Sequence, residues 1–140
     1  MSDYYRCIGI DVGSKRVGLA RSDLLRMVAN PIGTYPTQEV FKKLEEIVEE
    51  ERVKKFIVGW PLTPRGEEGE ATEGVGLFID KLKTRFPHME VVKVDERYTS
   101  KEAVKIMVRA GRSQKERTKR GRIDQAAAAI ILQKYLDRDY

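Results

Sequence analysis

The chain has 140 residues, with 27 Lys and Arg against 22 Asp and Glu, a formal net charge of +5 at neutral pH. That length fits a single domain over residues 1–140, and 41% hydrophobic residues argue against a disordered chain. One Cys and one His exclude an internal disulfide, a catalytic His pair and a multi-Cys/His zinc site.

No apolar run approaches the roughly 20 residues of a membrane-spanning helix. The opening MSDYYRC has an acid at Asp3 and no long apolar stretch, so no signal peptide is expected. The expectation is a soluble cytoplasmic protein with no membrane partner.

Tyr5 to Val12 alternates, with Ile8, Ile10 and Val12 on one face and Cys7, Gly9 and Asp11 on the other, which predicts a strand. A turn over Gly13 to Arg16 and a second strand over Arg16 to Arg21 make a hairpin. Val28 to Tyr35 reads as a third strand, with Pro31 suiting an edge. Helical spacing of Val40, Phe41, Leu44, Ile47 and Val48 predicts a helix over Thr37 to Glu51. Phe56 to Trp60 is a short apolar strand, and Leu62 to Ala71 a polar loop. Val75, Phe78, Ile79, Leu82 and Phe86 mark a second helix, and Glu90 to Val94 another strand. Thr99 and Glu102 form a capping-box pattern opening a helix to Ala110. Arg122 to Leu136 is the last helix, with Ile123, Ala127, Ile130 and Ile131 inward. The order β-β-β-α-β-α-β-α-α predicts an α/β domain with a mixed sheet.

Charge is segregated along the chain. Five acids face three bases between Val40 and Arg52, and Glu67 to Glu73 carries four acids and no base. Over the 14 residues from Arg109 to Arg122, the bases Arg109, Arg112, Lys115, Arg117, Lys119, Arg120 and Arg122 meet only Glu116. Such density is the electrostatic footprint of a phosphate-backbone ligand, although a solvated surface loop has the same composition.

Three acids sit at the ends of elements. Asp11 ends an apolar strand between Gly9 and Gly13, which leave room for something to approach the backbone. Glu96 follows Val91 to Val94, and Asp124 opens the last helix beside four consecutive alanines, Ala126 to Ala129. The small run lets that helix press on the sheet and carries Asp124 towards the strand ends. Carboxylates from separate elements, without Cys or His, suit Mg²⁺ or Mn²⁺. Each acid also has a plain structural role open to it. Asp11 fits a turn acid on the Gly13 and Ser14 amides. Glu96 fits a surface ion pair with Arg97 or Lys93, and Asp124 a first-turn acid meeting the helix dipole. Asp95 competes with Glu96, and spacing alone does not choose. The conjunction of these acids with the basic run points to metal-dependent chemistry on a phosphodiester.

The blocks GIDVGSKRVGLA, IVGWPLTPRG, VDERYTS and RIDQAAAAIILQKYL, in this order, resemble the YqgF family of bacterial proteins, described both as Holliday junction resolvases and as pre-16S rRNA nucleases. The resemblance runs from Ile8 to Leu136. It implies a ribonuclease H-like fold, a five-stranded mixed sheet with strand one central and helices on its flanks. It implies that Asp11, Glu96 and Asp124 are catalytic and hold a divalent metal at one sheet edge. Arg16, Arg97 and Thr99 also fall in its blocks. One block departs: after Gly59-Trp60-Pro61-Leu62 the family continues Met-Asp-Gly-like, where this chain has Thr63-Pro64-Arg65-Gly66. The lost acid bears on a loop role alone.

On this reading Arg97 or Arg16 neutralises the phosphate, and Lys101, Lys105 and the Arg109 to Arg122 run track the sugar-phosphate backbone. Trp60 and Tyr98 are candidates for base stacking, although Trp60 follows a core strand and suits packing. His88 reads as a surface turn residue and Cys7 as a small apolar one. The expected partner is pre-rRNA first and branched DNA second, with monomer and homodimer both open. Two rivals remain. An actin/sugar-kinase type ATPase needs two such domains to close around a nucleotide. A non-catalytic RNA-binding assembly factor gains nothing from acids that repel phosphate.

Overall fold

The computed structural model describes residues 4–62, 65–96 and 120–138, with the side chains of 120–124 outside that description. Its elements are β1 (Arg6–Val12), β2 (Arg16–Ser22), β3 (Ala29–Pro36), α1 (Thr37–Glu50), β4 (Val53–Trp60), α2 (Glu70–Arg85), β5 (Glu90–Asp95) and a last helix, here α3 (Arg120–Leu136). The helix expected over Thr99 to Ala110 lies outside the described residues.

The five strands form one mixed sheet in the order β3-β2-β1-β4-β5, so strand one is central as expected. β1 runs antiparallel to β2 and parallel to β4, and β5 continues parallel to β4. Both parallel steps need a crossover, which α1 and α2 supply.

The alternation of β1 sorts its side chains between two apolar layers. Ile8 and Ile10 join Val17, Leu19, Phe56 and Val58 beneath Val40, Leu44 and Ile47 of α1 and Val75, Phe78 and Leu82 of α2. Cys7 joins Ala20, Ile57 and Val94 on the opposite face, beneath Ala128, Ile131 and Leu132 of α3. Cys7 is therefore the buried apolar group expected, and burial pushes its thiol up to about 11. Phe56 anchors the first layer, fully buried and edge-on to Phe86 with ring centroids 5.2 Å apart. Truncation to Ala is expected to cost about 3–5 kcal/mol, read as a lowered urea midpoint.

Three details differ from the sequence reading, two of them element starts. β4 begins at Val53 rather than Phe56, because Lys54 and Lys55 keep their charged ends outside while the strand continues. Lys55 reaches the Tyr135 hydroxyl at 2.9 Å and Glu90 at 3.4 Å. α2 begins at Glu70, inside the expected loop. The Gly69 amide donates to Thr72 Oγ1 at 2.9 Å, and Glu70 and Glu73 complement the helix dipole in the first turn. On α3, Ala127 and Ile131 are buried as expected, but Ala128 and Leu132 complete the inward stripe and Ile130 is half-buried. His88 is an exposed turn residue, as expected.

Candidate active site

β1 and β5 end at the same edge of the sheet, and the parity of each strand decides which side chains meet there. Cys7 and Gly9 face α3, so Asp11 faces that side too. β4 follows the same rule. Ile57 and Gly59 face α3, whereas Phe56, Val58 and Trp60 face α1 and α2. On β5, Val94 packs under α3, so Asp95 points to the opposite face. Glu96, one residue past the strand, turns back over Gly59, with its amide donating to the Trp60 carbonyl at 3.2 Å. Spacing did not choose between Asp95 and Glu96, and the fold turns Glu96 towards Asp11. Glu96 is the acid whose carboxyl hydrogen-bonds with Asp11.

This pair is strained electrostatically. Glu96 is pushed up to about 10, first by burial, then by the charge of Asp11 and its hydrogen bond, and last by Asp95; Lys134 on α3 works in the opposite direction. Burial and the Asp11 charge thus favour the protonated form of the Glu96 carboxyl in the metal-free fold.

Neither glycine beside Asp11 leaves the backbone open. A Cβ on Gly9 would lie 2.7 Å from the Ala128 carbonyl oxygen and 2.7 Å from Leu132 Cβ, so α3 itself occupies that space. Gly13 serves the hairpin turn, donating to the Arg16 carbonyl at 2.8 Å, and that amide is not available to Asp11 as a turn acid.

Sequence reasoning missed two residues. Gly59 makes room for the Glu96 carboxyl, since a Cβ there would lie 2.8 Å from its carbon and 2.6 Å from Ile131 Cδ1. A glycine inside an apolar strand was the available signal. Lys134 is the cation acting on Glu96, and nothing in the sequence distinguished it from a solvent-facing helix lysine.

Of the other candidates, Arg16 is half-buried at the start of β2. It shares the parity of Gly18, the register partner of Asp11, and of Ala20 in the α3 layer. Trp60 packs partly on the core, with the Lys93 ammonium 3.9 Å from its ring centroid, so packing is its role here. Position 124 lies in the first turns of α3, on the stripe of Ala127, Ala128 and Ile131 by helical period. The backbones of Arg120 and Arg122 are helical. Arg97, Tyr98, Thr99, Lys101, Lys105, Arg109, Arg112, Lys115, Arg117 and Lys119 lie outside the described residues. Among the described residues, no group of three His, Cys, Asp or Glu side chains stands close enough to hold a metal ion.

A family model described as "RuvX: Holliday junction resolvase" matches residues 5–138. The chain belongs to the RuvX family. The YqgF resemblance carried by the four sequence blocks falls on this same family. A relative from Salinibacter ruber, named "Putative pre-16S rRNA nuclease", is 44% identical over 138 residues, covering 99% of this chain and 96% of its own. A second from Chlorobaculum tepidum, with the same name, is 40% identical over 136 residues, 97% and 96% of the two chains.

Among solved structures, Thermus thermophilus RuvC in complex with a Holliday junction substrate superposes with a TM-score of 0.57 at 18% identity, over 96% of this chain and 95% of that one. A second structure of Thermus thermophilus RuvC gives 0.53 at 17% identity, over 95% of each chain. These likenesses bear on the fold, which is the ribonuclease H-like architecture expected from the resemblance. Among the described residues, no helix is long and apolar enough to cross a membrane.

Proposed function

We propose that this protein is a divalent-metal-dependent nuclease that hydrolyses phosphodiester bonds in the 5′ region of pre-16S rRNA. The observation that carries the proposal is the Asp11–Glu96 pair. Two carboxyls from different strand ends are held in hydrogen-bond contact in a half-buried position, where burial and the Asp11 charge oppose ionisation of Glu96. Such a pair is unfavourable for the metal-free fold, and a hard cation in place of the shared proton would relieve it.

The donor set fits Mg²⁺ or Mn²⁺, since it consists of carboxylate oxygens alone. Asp11 and Glu96 would hold the ion together with Asp124, whose helical position lies on the α3 stripe packed against β1. Bound there, the ion supplies Lewis acidity to a phosphodiester. Gly59 keeps the Glu96 carboxyl against Asp11, and Lys134 moderates the accumulated negative charge. Arg16, on the Asp11 face, meets the phosphate from the hairpin side, with Arg97 as its counterpart after β5. Lys101 and the Arg109 to Arg122 run hold the sugar-phosphate backbone.

The relatives' names put pre-rRNA first. The family model's description supplies a second substrate, the four-way DNA junction. Resolution of a junction takes two active sites and therefore a dimer.

The deciding experiment incubates 5′-extended pre-16S rRNA and a four-way DNA junction side by side with the protein and Mg²⁺ or Mn²⁺. Wild type is compared with Asp11→Asn. The expected result is metal-dependent cleavage of the RNA that Asp11→Asn lacks. Paired symmetric cuts in the junction alone would replace the RNA reading with the resolvase. Binding without cleavage of either substrate would leave a non-catalytic assembly factor.

A further inference from the structure

The sheet face opposite Asp11 and Glu96 carries a groove that the nuclease reading does not use. It runs between α1 and α2, with a volume of about 1040 Å³ and a largely apolar lining that includes Val12, Phe41, Val75 and Phe78. Leu77 stands on its rim with 65% of its surface exposed. At the α1 end the Thr37 hydroxyl oxygen is buried without a hydrogen-bond partner among the described residues.

Two observations indicate what occupies it. The first is Gly74, which lines the groove from inside α2. A glycine within a helix is about 1 kcal/mol less favourable than alanine. At Gly9 and Gly59, which lie in strands, the missing side chain accompanies tight packing, but a Cβ on Gly74 would have nothing within 4 Å among the described residues. No contact among the described residues explains its smallness, whereas close approach of a second backbone would.

The second observation is charge. Over α1 and α2, with Glu67 and Glu68 ahead of α2, ten acids face five bases, although the whole chain is +5. At the mouth, Arg85 is committed to Glu45 at 2.8 Å, which leaves Glu70 and Asp80 against Lys81. An anionic layer of this kind repels nucleic acid and attracts a cationic polypeptide.

We infer that the α1–α2 groove is the docking site for a cationic amphipathic helical segment of a partner protein. Its apolar stripe covers Phe41, Val75 and Leu77, its backbone approaches at Gly74, and its Lys or Arg side chains meet the acids of the two helices. This is helix-in-groove recognition, with anchors at i, i+3, i+4 and i+7. The docking site stands independently of the nuclease reading, because none of these residues belongs to the Asp11–Glu96 site.

The test uses a fluorescein-labelled 18-residue peptide of Leu and Lys, with Leu at helical i, i+3, i+4 and i+7 positions, titrated with the full chain at physiological salt. A scrambled peptide of the same composition and a Leu/Glu peptide of the same pattern are the controls. The expected result is saturable binding of the patterned Leu/Lys peptide, at least ten-fold tighter than the scrambled one, and no binding of the Leu/Glu peptide. Leu77→Asn, a surface change that leaves folding intact, should weaken binding at least ten-fold and leave nucleic-acid binding unchanged. Gly74→Ala should raise the melting temperature and yet weaken the peptide, a combination that a purely structural glycine does not give.

Equal binding of the scrambled peptide, or indifference to both substitutions, would overturn the proposal. Displacement of the peptide by a single-stranded RNA oligonucleotide would reassign the groove to nucleic acid. A wild-type dimer in sedimentation that Leu77→Asn converts to monomer would reassign it to a second copy of the chain.

Discussion

Glu96→Gln is expected to stabilise the metal-free protein at pH 8 while reducing cleavage at least about 100-fold. The Glu96 carboxyl is raised from 4.5 to about 10 in the fold. A raised acid binds its proton more tightly when folded, so its contribution to stability is fully present below about 4.5. That contribution declines as pH rises and is gone once pH passes about 10. Glutamine keeps a donor for Asp11 and has no proton to lose. The variant should therefore match wild type near pH 4.5 and exceed it by about 1–3 kcal/mol at pH 8. Urea midpoints at the two pH values, with chelator present, read this directly. Added Mg²⁺ should then raise the midpoint of wild type but not of the variant, since only a ligand bound by the folded state stabilises it. Identical midpoints at both pH values would mean that burial and Asp11 do not strain this carboxyl.

The same pair shows what the sequence could and could not convey. Asp11 was legible because an acid at the end of an apolar alternating strand is anomalous, and the faces of β1 followed from a period of two. The element order and the mixed sheet came through from patterning, and the central strand with its flanking helices from the resemblance of the four blocks. Which of Asp95 and Glu96 turns towards Asp11 was not legible in the spacing. It depends on Glu96 turning back over Gly59 after the strand has ended, which no periodicity encodes. β4 was read three residues short because the ends of Lys54 and Lys55 look like a loop, whereas their stems lie along the sheet. Glu70 looked like part of a polar loop because the Thr72 contact that starts α2 comes from an unremarkable threonine. Gly9 was read as room for something to approach the backbone, and the occupant is the protein's own helix.

Gly9→Ala and Gly59→Ala are expected to fail in different ways, although each adds a single methyl group to a central strand. Alanine at Gly9 brings its Cβ to 2.7 Å from the Ala128 carbonyl oxygen and from Leu132 Cβ. One is backbone and the other the first side-chain carbon, so no rotamer change relieves the contact and α3 must move off β1. The expected loss is about 2–3 kcal/mol, read as a lower urea midpoint, although alanine suits a strand at least as well as glycine does. At Gly59 the obstructed atoms are Ile131 Cδ1 at 2.6 Å and the Glu96 carboxyl at 2.8 Å, the far ends of two side chains that can rotate. Stability should fall by less than about 1.5 kcal/mol, while Glu96 swings away from Asp11 and cleavage drops with the fold intact. The positioning account of Gly59 fails if its alanine variant keeps full activity. The close seat of α3 on β1 fails if Gly9→Ala unfolds at the wild-type midpoint. The four alanines from Ala126 to Ala129 and the glycine opposite them then have a single physical explanation, a helix seated close against β1.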